Sequence, residues 1–214
     1  MRAVIFANGD LNKPEKVASA LQPGDVLIAV DGGARHCARL SLLPHYAIGD
    51  FDSLSQAELD QLSAQGVTLV RFPARKDFTD LELALRHAQA LGCDQLLVVG
   101  ALGARWDQTL ANVLLLASPD LANVSIRLVD GEQEITLLRP GRSTPLAGKP
   151  GDTLSLIPLA GDAQGITTQG LEYPLHRETL HFGATRGVSN VLTRTEASIT
   201  FEQGLLLCTL IRHT

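Results

Sequence analysis

The apolar positions of this chain fall into two textures. Up to about residue 117, short unbroken apolar runs alternate with segments of helical spacing. Ala3 to Ala7, Val26 to Val30, Tyr46 to Gly49, Val67 to Phe72 and Gln95 to Val99 read as strands. Pro14 to Leu21, Ala34 to Leu42, the residues between Ser55 and Gly66, those between Thr79 and Gly92, and Trp106 to Ala117 read as helices. In the fourth of these, Leu81, Ala84, Leu85, Ala88 and Leu91 fall on one stripe. Ser55-x-x-Glu58 and Thr79-x-x-Glu82 have the spacing of capping boxes, and Gly66 and Gly92 mark helix ends. Strands apolar at every residue, each followed by a turn and a helix, predict a parallel sheet covered on both faces, a Rossmann-like α/β domain.

Beyond about Asp130 the texture changes. Glu134 to Leu138, Asp152 to Leu159, Glu172 to Thr179 and Ala197 to Ile211 read as strands, several with alternating polar and apolar residues. Pro140-Gly141, Pro150-Gly151, Gly161 and Gly165 punctuate the gaps, and no long helical stripe remains. The expectation is an antiparallel β-sandwich or barrel. The boundary falls near Gly131, giving an α/β domain over 1–130 and a β-sandwich over 131–214.

With 214 residues, 45% of them apolar, the chain can bury a substantial core. Asp and Glu number 23 against 18 Lys and Arg, for a net charge of −5, which excludes a general nucleic-acid binder. No apolar run approaches the ~20 residues needed to span a bilayer. The opening residues turn polar at Asn8-Gly9-Asp10, too early for a signal-peptide core. Cys37, Cys93 and Cys208 lie far apart without a C-x-x-C pair, and read as buried thiols in a reducing, cytoplasmic compartment.

Candidate chemistry lies where the strands end. In Ile48-Gly49-Asp50-Phe51-Asp52-Ser53 two carboxylates flank a bulky apolar side chain. Read as extended backbone, Asp50 and Asp52 share a face while Phe51 turns into the core. Two hard oxygen ligands suit Mg²⁺, which leaves its other positions to water and phosphate. Asp31 follows the second strand, Asp77 and Asp80 the fourth, and Asp107 the fifth and its turn. In a parallel sheet these carboxylates meet at one edge, where ligands bind. Capping needs one Asp per turn and has no use for pairs. So many like charges repel unless a cation sits among them, and a divalent metal carrying a polyphosphate resolves the conflict. Lys76 and Arg105, each near an Asp of this set, can face phosphate oxygens. Gly32-Gly33, Gly100 and Gly103 allow close backbone approach to a ligand. No P-loop, dinucleotide fingerprint or nucleophile elbow is present, and the six histidines show no metal-ligand spacing.

Asp31-Gly32-Gly33, Gly49-Asp50-Phe51-Asp52-Ser53, Lys76-Asp77-x-Thr79-Asp80, Gly103-x-Arg105-x-Asp107 and Arg186-Gly187-Val188-Ser189-Asn190 occur in that order. Together they resemble the thiamine pyrophosphokinase family over nearly the whole chain. Gln108 stands where many bacterial members carry His, and Thr185 where Ser often precedes the Arg-Gly. The resemblance implies transfer of diphosphate from ATP to the hydroxyl of thiamine, releasing AMP and thiamine diphosphate. It implies that Asp50, Asp52 and Asp80 hold Mg²⁺ and that Lys76, Asp77, Thr79, Arg105 and Asp107 position ATP. Asp31, Gly32 and Gly33 would lie under the nucleotide. Asp50, Asp52, Asp80 and Arg105 form the implied catalytic set. Arg186, Ser189 and Asn190 would contact thiamine, where the sandwich of one subunit meets the α/β domain of its partner in a homodimer. Two other readings share the acidic motifs: a 6-hydroxymethylpterin diphosphokinase, and a non-catalytic sensor of nucleotides or thiamine phosphates.

Overall fold

A computed structural model describes residues 1–103 and 105–213. These residues form a mixed α/β structure with five α-helices and thirteen strands. The chain divides into two compact units, Met1–Gly131 and Glu132–Thr214. Among the described residues no helix is long and apolar enough to cross a membrane.

In the first unit the order is β1 (Arg2–Phe6), α1 (Pro14–Ala20), β2 (Val26–Val30), α2 (Gly33–Arg39), β3 (Tyr46–Gly49) and α3 (Gln56–Ala64). Then follow β4 (Thr68–Arg71), α4 (Asp80–Ala90), β5 (Gln95–Val99), α5 (Trp106–Leu115) and β6 (Ser125–Asp130). The strands lie in the order β4-β3-β2-β1-β5-β6 and pair in parallel throughout. β1 is buried on both faces. Its Val4 and Phe6 join a core with Val17 of α1, Cys37 of α2 and Leu59 of α3. Its Ala3 and Ile5, equally buried, alternate to the opposite face, and α4 lies against β1, β2 and β3 with Leu81, Ala84, Leu85 and Ala88 buried. The order winds outward from β1 to β4 and then restarts at β5. The sheet therefore has a topological switch point between β1 and β5, and a crevice opens beyond their carboxyl ends.

Ser55 closes a full capping box with Glu58 on α3, while Thr79 caps α4 only by accepting from the Glu82 N–H. The expected strand positions in this unit agree to within a residue or two, and β6 is an addition. The Ser125–Asp130 segment carries Ser125, Arg127 and Asp130 among its apolar residues, and its parallel partner is β5.

The second unit contains β7 (Gln133–Leu138), β8 (Thr144–Ala147), β9 (Thr153–Gln169), β10 (Glu178–Leu180), β11 (Asn190–Val191), β12 (Glu196–Thr200) and β13 (Gln203–Ile211). Every pairing among them is antiparallel. β9 differs from expectation. It runs for 17 residues straight through Gly161 and Gly165, which the sequence marks as gaps. Its first part pairs with β13 and β11, its middle with β10, and its last residues with β12. Ala160, Gly161 and Gly165 have positive φ, so these residues bend the strand rather than end it. The run from Ala197 to Ile211 is likewise two strands: β12 pairs with β8 and β9, and β13 with β7 and β9. Leu154, Ile166, Leu180, Ile199 and Leu206 meet in one core.

Candidate active site

A cavity of about 470 Å³ lies at the switch point. Asn8, Gly9 and Asp10 line it from the turn after β1, and Gly100 to Gly103 from the turn after β5. The two turns interlock: the Gly9 N–H donates to the Gly100 carbonyl at 2.8 Å. His36 of α2 bonds the Gly9 carbonyl at 2.8 Å, and from α5 Thr109 and Asn112 bond the backbone of Gly103 and Ala101. Asp31, Asp50, Asp52, Thr79, Asp80 and Arg105 complete the lining.

Thus four carboxylates singled out in the sequence share one space, as parallel strands ending at one edge require. The local backbone is different from the extended form assumed above. β3 ends at Gly49, and Phe51 adopts φ 64°, in the left-handed region. Its ring is nevertheless buried, and both flanking carboxylates reach the cavity. The Asp31 carboxylate makes this possible by accepting the Phe51 N–H at 3.1 Å, and Asp50 accepts the Asp52 N–H at 3.0 Å. Gly49 is required here, since a Cβ would collide with the Asp31 carboxylate. Asp31 is only 8% exposed. Burial first, then the charges of Asp80, Asp50 and Asp52, push its carboxyl up to about 6, against the opposing Phe51 hydrogen bond.

Lys76 supplies a counter-charge within this set. Its Nζ lies 2.8 Å from Asp80 and 4.0 Å from Asp50. Arg105 is paired with Asp107 at 2.6 Å on an exposed rim, and that hydrogen bond is the main cause holding the Asp107 carboxyl low. Arg105 lines the cavity, whereas Asp107 and Asp77 do not. Gly32 and Gly33 also lie outside the lining. Their missing Cβ atoms make room for the Asn8 side chain and the Phe6 carbonyl, and Gly32 donates its N–H to Ser53. Polar side chains of the lining that were given no site role from the motifs are Asn8, Asp10, Gln108, Thr109 and Asn112. The signal for the last three is helical spacing on α5, which brings one turn of that helix to the cavity edge.

The donor set fits Mg²⁺. Among the described residues no three acidic, histidine or cysteine side chains are grouped closely enough to hold an ion by themselves. Mg²⁺ does not need three, because it is held by one or two carboxylates together with water and phosphate oxygens.

In the second unit Arg186, Gly187 and Asn190 line another cavity, of about 440 Å³, with Tyr173, Leu154 and Leu156. Arg186 is paired with Glu178. The Asn190 amide donates to the Tyr173 carbonyl at 2.7 Å and accepts from the Tyr173 N–H at 3.1 Å. Ser189 has φ 63° and donates its N–H to Ser155 Oγ. It is not among the lining residues.

A carboxylate-lined cavity at the switch point of a parallel sheet, with a lysine and an arginine beside it, defines the class of α/β protein that handles phosphate chains. More narrowly, the chain belongs to the thiamin pyrophosphokinase family. Residues 17–128 match the family's catalytic domain and residues 143–206 its vitamin B1 binding domain. It is 30% identical over 210 residues to the thiamine pyrophosphokinase of Bacillus subtilis (strain 168), covering 98% of this chain and 97% of that one. The solved structure of a Bacillus subtilis thiamine pyrophosphokinase superposes with a TM-score of 0.89 at 27% identity, over 100% of both chains. That from Geobacillus thermodenitrificans gives 0.86 at 26% identity, over 100% and 99%. The Candida albicans protein shares the fold at 15% identity, with a TM-score of 0.79 over 99% and 90%.

Proposed function

We propose that this thiamine diphosphokinase moves the terminal diphosphoryl group of ATP to the hydroxyl of thiamine and releases AMP. The observation that carries the ATP and metal part is the convergence of Asp31, Asp50, Asp52 and Asp80 on one switch-point cavity with Lys76 between two of them. Asp50, Asp52 and Asp80 would supply the one or two carboxylates that hold Mg²⁺, with water and phosphate oxygens as its other ligands. When bound, the cation supplies charge neutralisation of the phosphates and polarises the attacked phosphorus.

The chain itself contributes position and charge. Lys76, held by Asp80 and Asp50, and Arg105, held by Asp107, bind phosphate oxygens, with Asp77 beside Lys76 in the same ATP-positioning segment. Thr79 orients the chain of phosphates, while Asp31, Gly32 and Gly33 form the floor under the nucleotide. The first unit is read as a Rossmann-like catalytic domain and the second as a β-sandwich that binds thiamine. There Arg186 faces thiamine, Asn190 shapes the pocket by fixing the Tyr173 loop, and the Ser189 N–H holds the turn against Ser155. The working enzyme is read as a homodimer with the site at the subunit interface. Support comes from α5, where Trp106, Leu110 and Leu114 recur every fourth residue and are 76%, 57% and 55% exposed. The three buried free thiols suit a cytoplasmic setting.

The test is product analysis of purified protein with ATP, Mg²⁺ and thiamine. AMP and thiamine diphosphate should appear in equal amounts. ADP in place of AMP would overturn diphosphoryl transfer. AMP formed only with a hydroxymethylpterin would move the acceptor. Binding without turnover would leave a sensor.

A further inference from the structure

We propose that Arg71 is a positioning residue for the Asp50 and Asp52 carboxylates, acting through the backbone turn between them. This rests on the reading that those carboxylates hold the cation. A bulky residue in the left-handed region is a genuine outlier that the surroundings must hold in place. Two groups hold Phe51 from opposite sides. From within, Asp31 accepts its N–H. From β4, the Arg71 guanidinium lies 5.0 Å from the centre of the Phe51 ring and donates through Nη1 to the Asp50 carbonyl at 3.2 Å.

The register explains why this position can do so. Arg71 is the last residue of β4 and stands opposite Gly49, and the Phe72 N–H donates to the Gly49 carbonyl at 2.9 Å. The β4 backbone donates to the His45 and Gly49 carbonyls, on the odd-numbered side of the β3 segment. The guanidinium adds a donor to the even-numbered Asp50 carbonyl, which that ladder does not serve. Its planar fork can donate in its own plane while presenting a face to the ring, which an ammonium cannot match. With the Asp50 carbonyl and the Phe51 ring both fixed, the peptide that separates the two carboxylates has one orientation. The chain thereby pre-organises two ligands whose backbone geometry is otherwise unfavourable.

The sign of the effect distinguishes positioning from charge. A bare positive charge beside a cation site weakens metal binding, so its removal should tighten it. Loss of a positioning contact should weaken it. The full-length Arg71→Met variant keeps the aliphatic stem and removes the guanidinium. Titration with Mn²⁺, followed by electron paramagnetic resonance without substrates, should show affinity lower by about tenfold, the scale of an outer contact to a ligand. Arg71→Lys, which keeps the charge but lacks the fork, should fall between the two. The Mg²⁺ concentration for half-maximal turnover should rise by the same factor. Unchanged or tighter Mn²⁺ binding by Arg71→Met would overturn the inference. Should that variant not fold, an Arg71→Lys protein binding Mn²⁺ as the wild type does would overturn it equally. Asp52→Asn is the control: if it binds Mn²⁺ normally, the ligand reading itself fails, whatever Arg71 does.

Discussion

In the cavity above the parallel sheet, Asp50, Asp52, Asp80 and Arg105 present side chains to open space. In the second unit, the equally dense motif Arg186 to Asn190 bonds largely to the protein's own backbone. Gly187 admits the Leu156 carbonyl, the Ser189 N–H bonds Ser155, and the Asn190 amide replaces two backbone partners of Tyr173. The difference follows from the backbone. Parallel strands satisfy their own N–H and C=O groups up to the edge; beyond it Asp31 and Asp50 each accept one turn N–H and still line the cavity. A tight antiparallel loop lacks that ladder, so its side chains must satisfy the backbone. A polar motif therefore marks chemistry in the first setting and architecture in much of the second.

Substitutions can break or sharpen this contrast. The largest effect is expected from Asp52→Asn, which keeps size and removes a charge: turnover should fall by at least about 100-fold, a loss of about 3 kcal/mol of transition-state stabilisation. Its thermal melt should stay within a few degrees of the wild type. Near-normal turnover in steady-state assays would end the metal assignment. Gly187→Ala reverses the pattern, since its Cβ would meet the Leu156 carbonyl. It should cost about 2–3 kcal/mol in denaturant unfolding.

Asp31 gives a pH signature. Its carboxyl is raised to about 6 in the folded protein against an ordinary 3.8, so the folded state binds this proton more tightly than the unfolded chain. The resulting stability is present in full below about pH 4 and is lost as pH rises through 6, amounting to about 3 kcal/mol. Metal-free melts from pH 4 to 7 should show this decline, and Asp31→Asn should flatten it. The smallest effect belongs to Asn190→Ala, about 1 kcal/mol from the lost Tyr173 bonds. Its KM for thiamine should rise while that for ATP stays constant.

Much of the first unit is legible because its signals are local. β2, β3 and β5 are largely apolar runs, and an acidic turn follows β2 and β3 where the parallel sheet ends. What is less legible depends on distant partners. Asp50 and Asp52 reach one cavity, yet the extended spacing that predicts it is replaced by a left-handed Phe51, whose stability comes from Asp31 and Arg71 some 20 residues away in either direction. Gly161 and Gly165 read as breaks because local pattern cannot distinguish a strand end from a bend; only the pairing of β9 with β10 and β12 makes them bends. β8 and β11, of four and two residues, are too short for any period to register.

The same long strand affects how the protein is made. β9 is the shared neighbour of β10, β11, β12 and β13, and its residues from Thr153 onward pair with a strand that ends at Ile211. Each βα step of the first unit closes with segments already synthesised, so it can condense while translation continues. The second unit cannot close its sheet until β13 has been made. Such long-range closures are slow, and during the wait β9 offers open edges to any neighbouring chain. In rapid expression, aggregation should begin in the C-terminal half, and slowing synthesis or lowering temperature should relieve it.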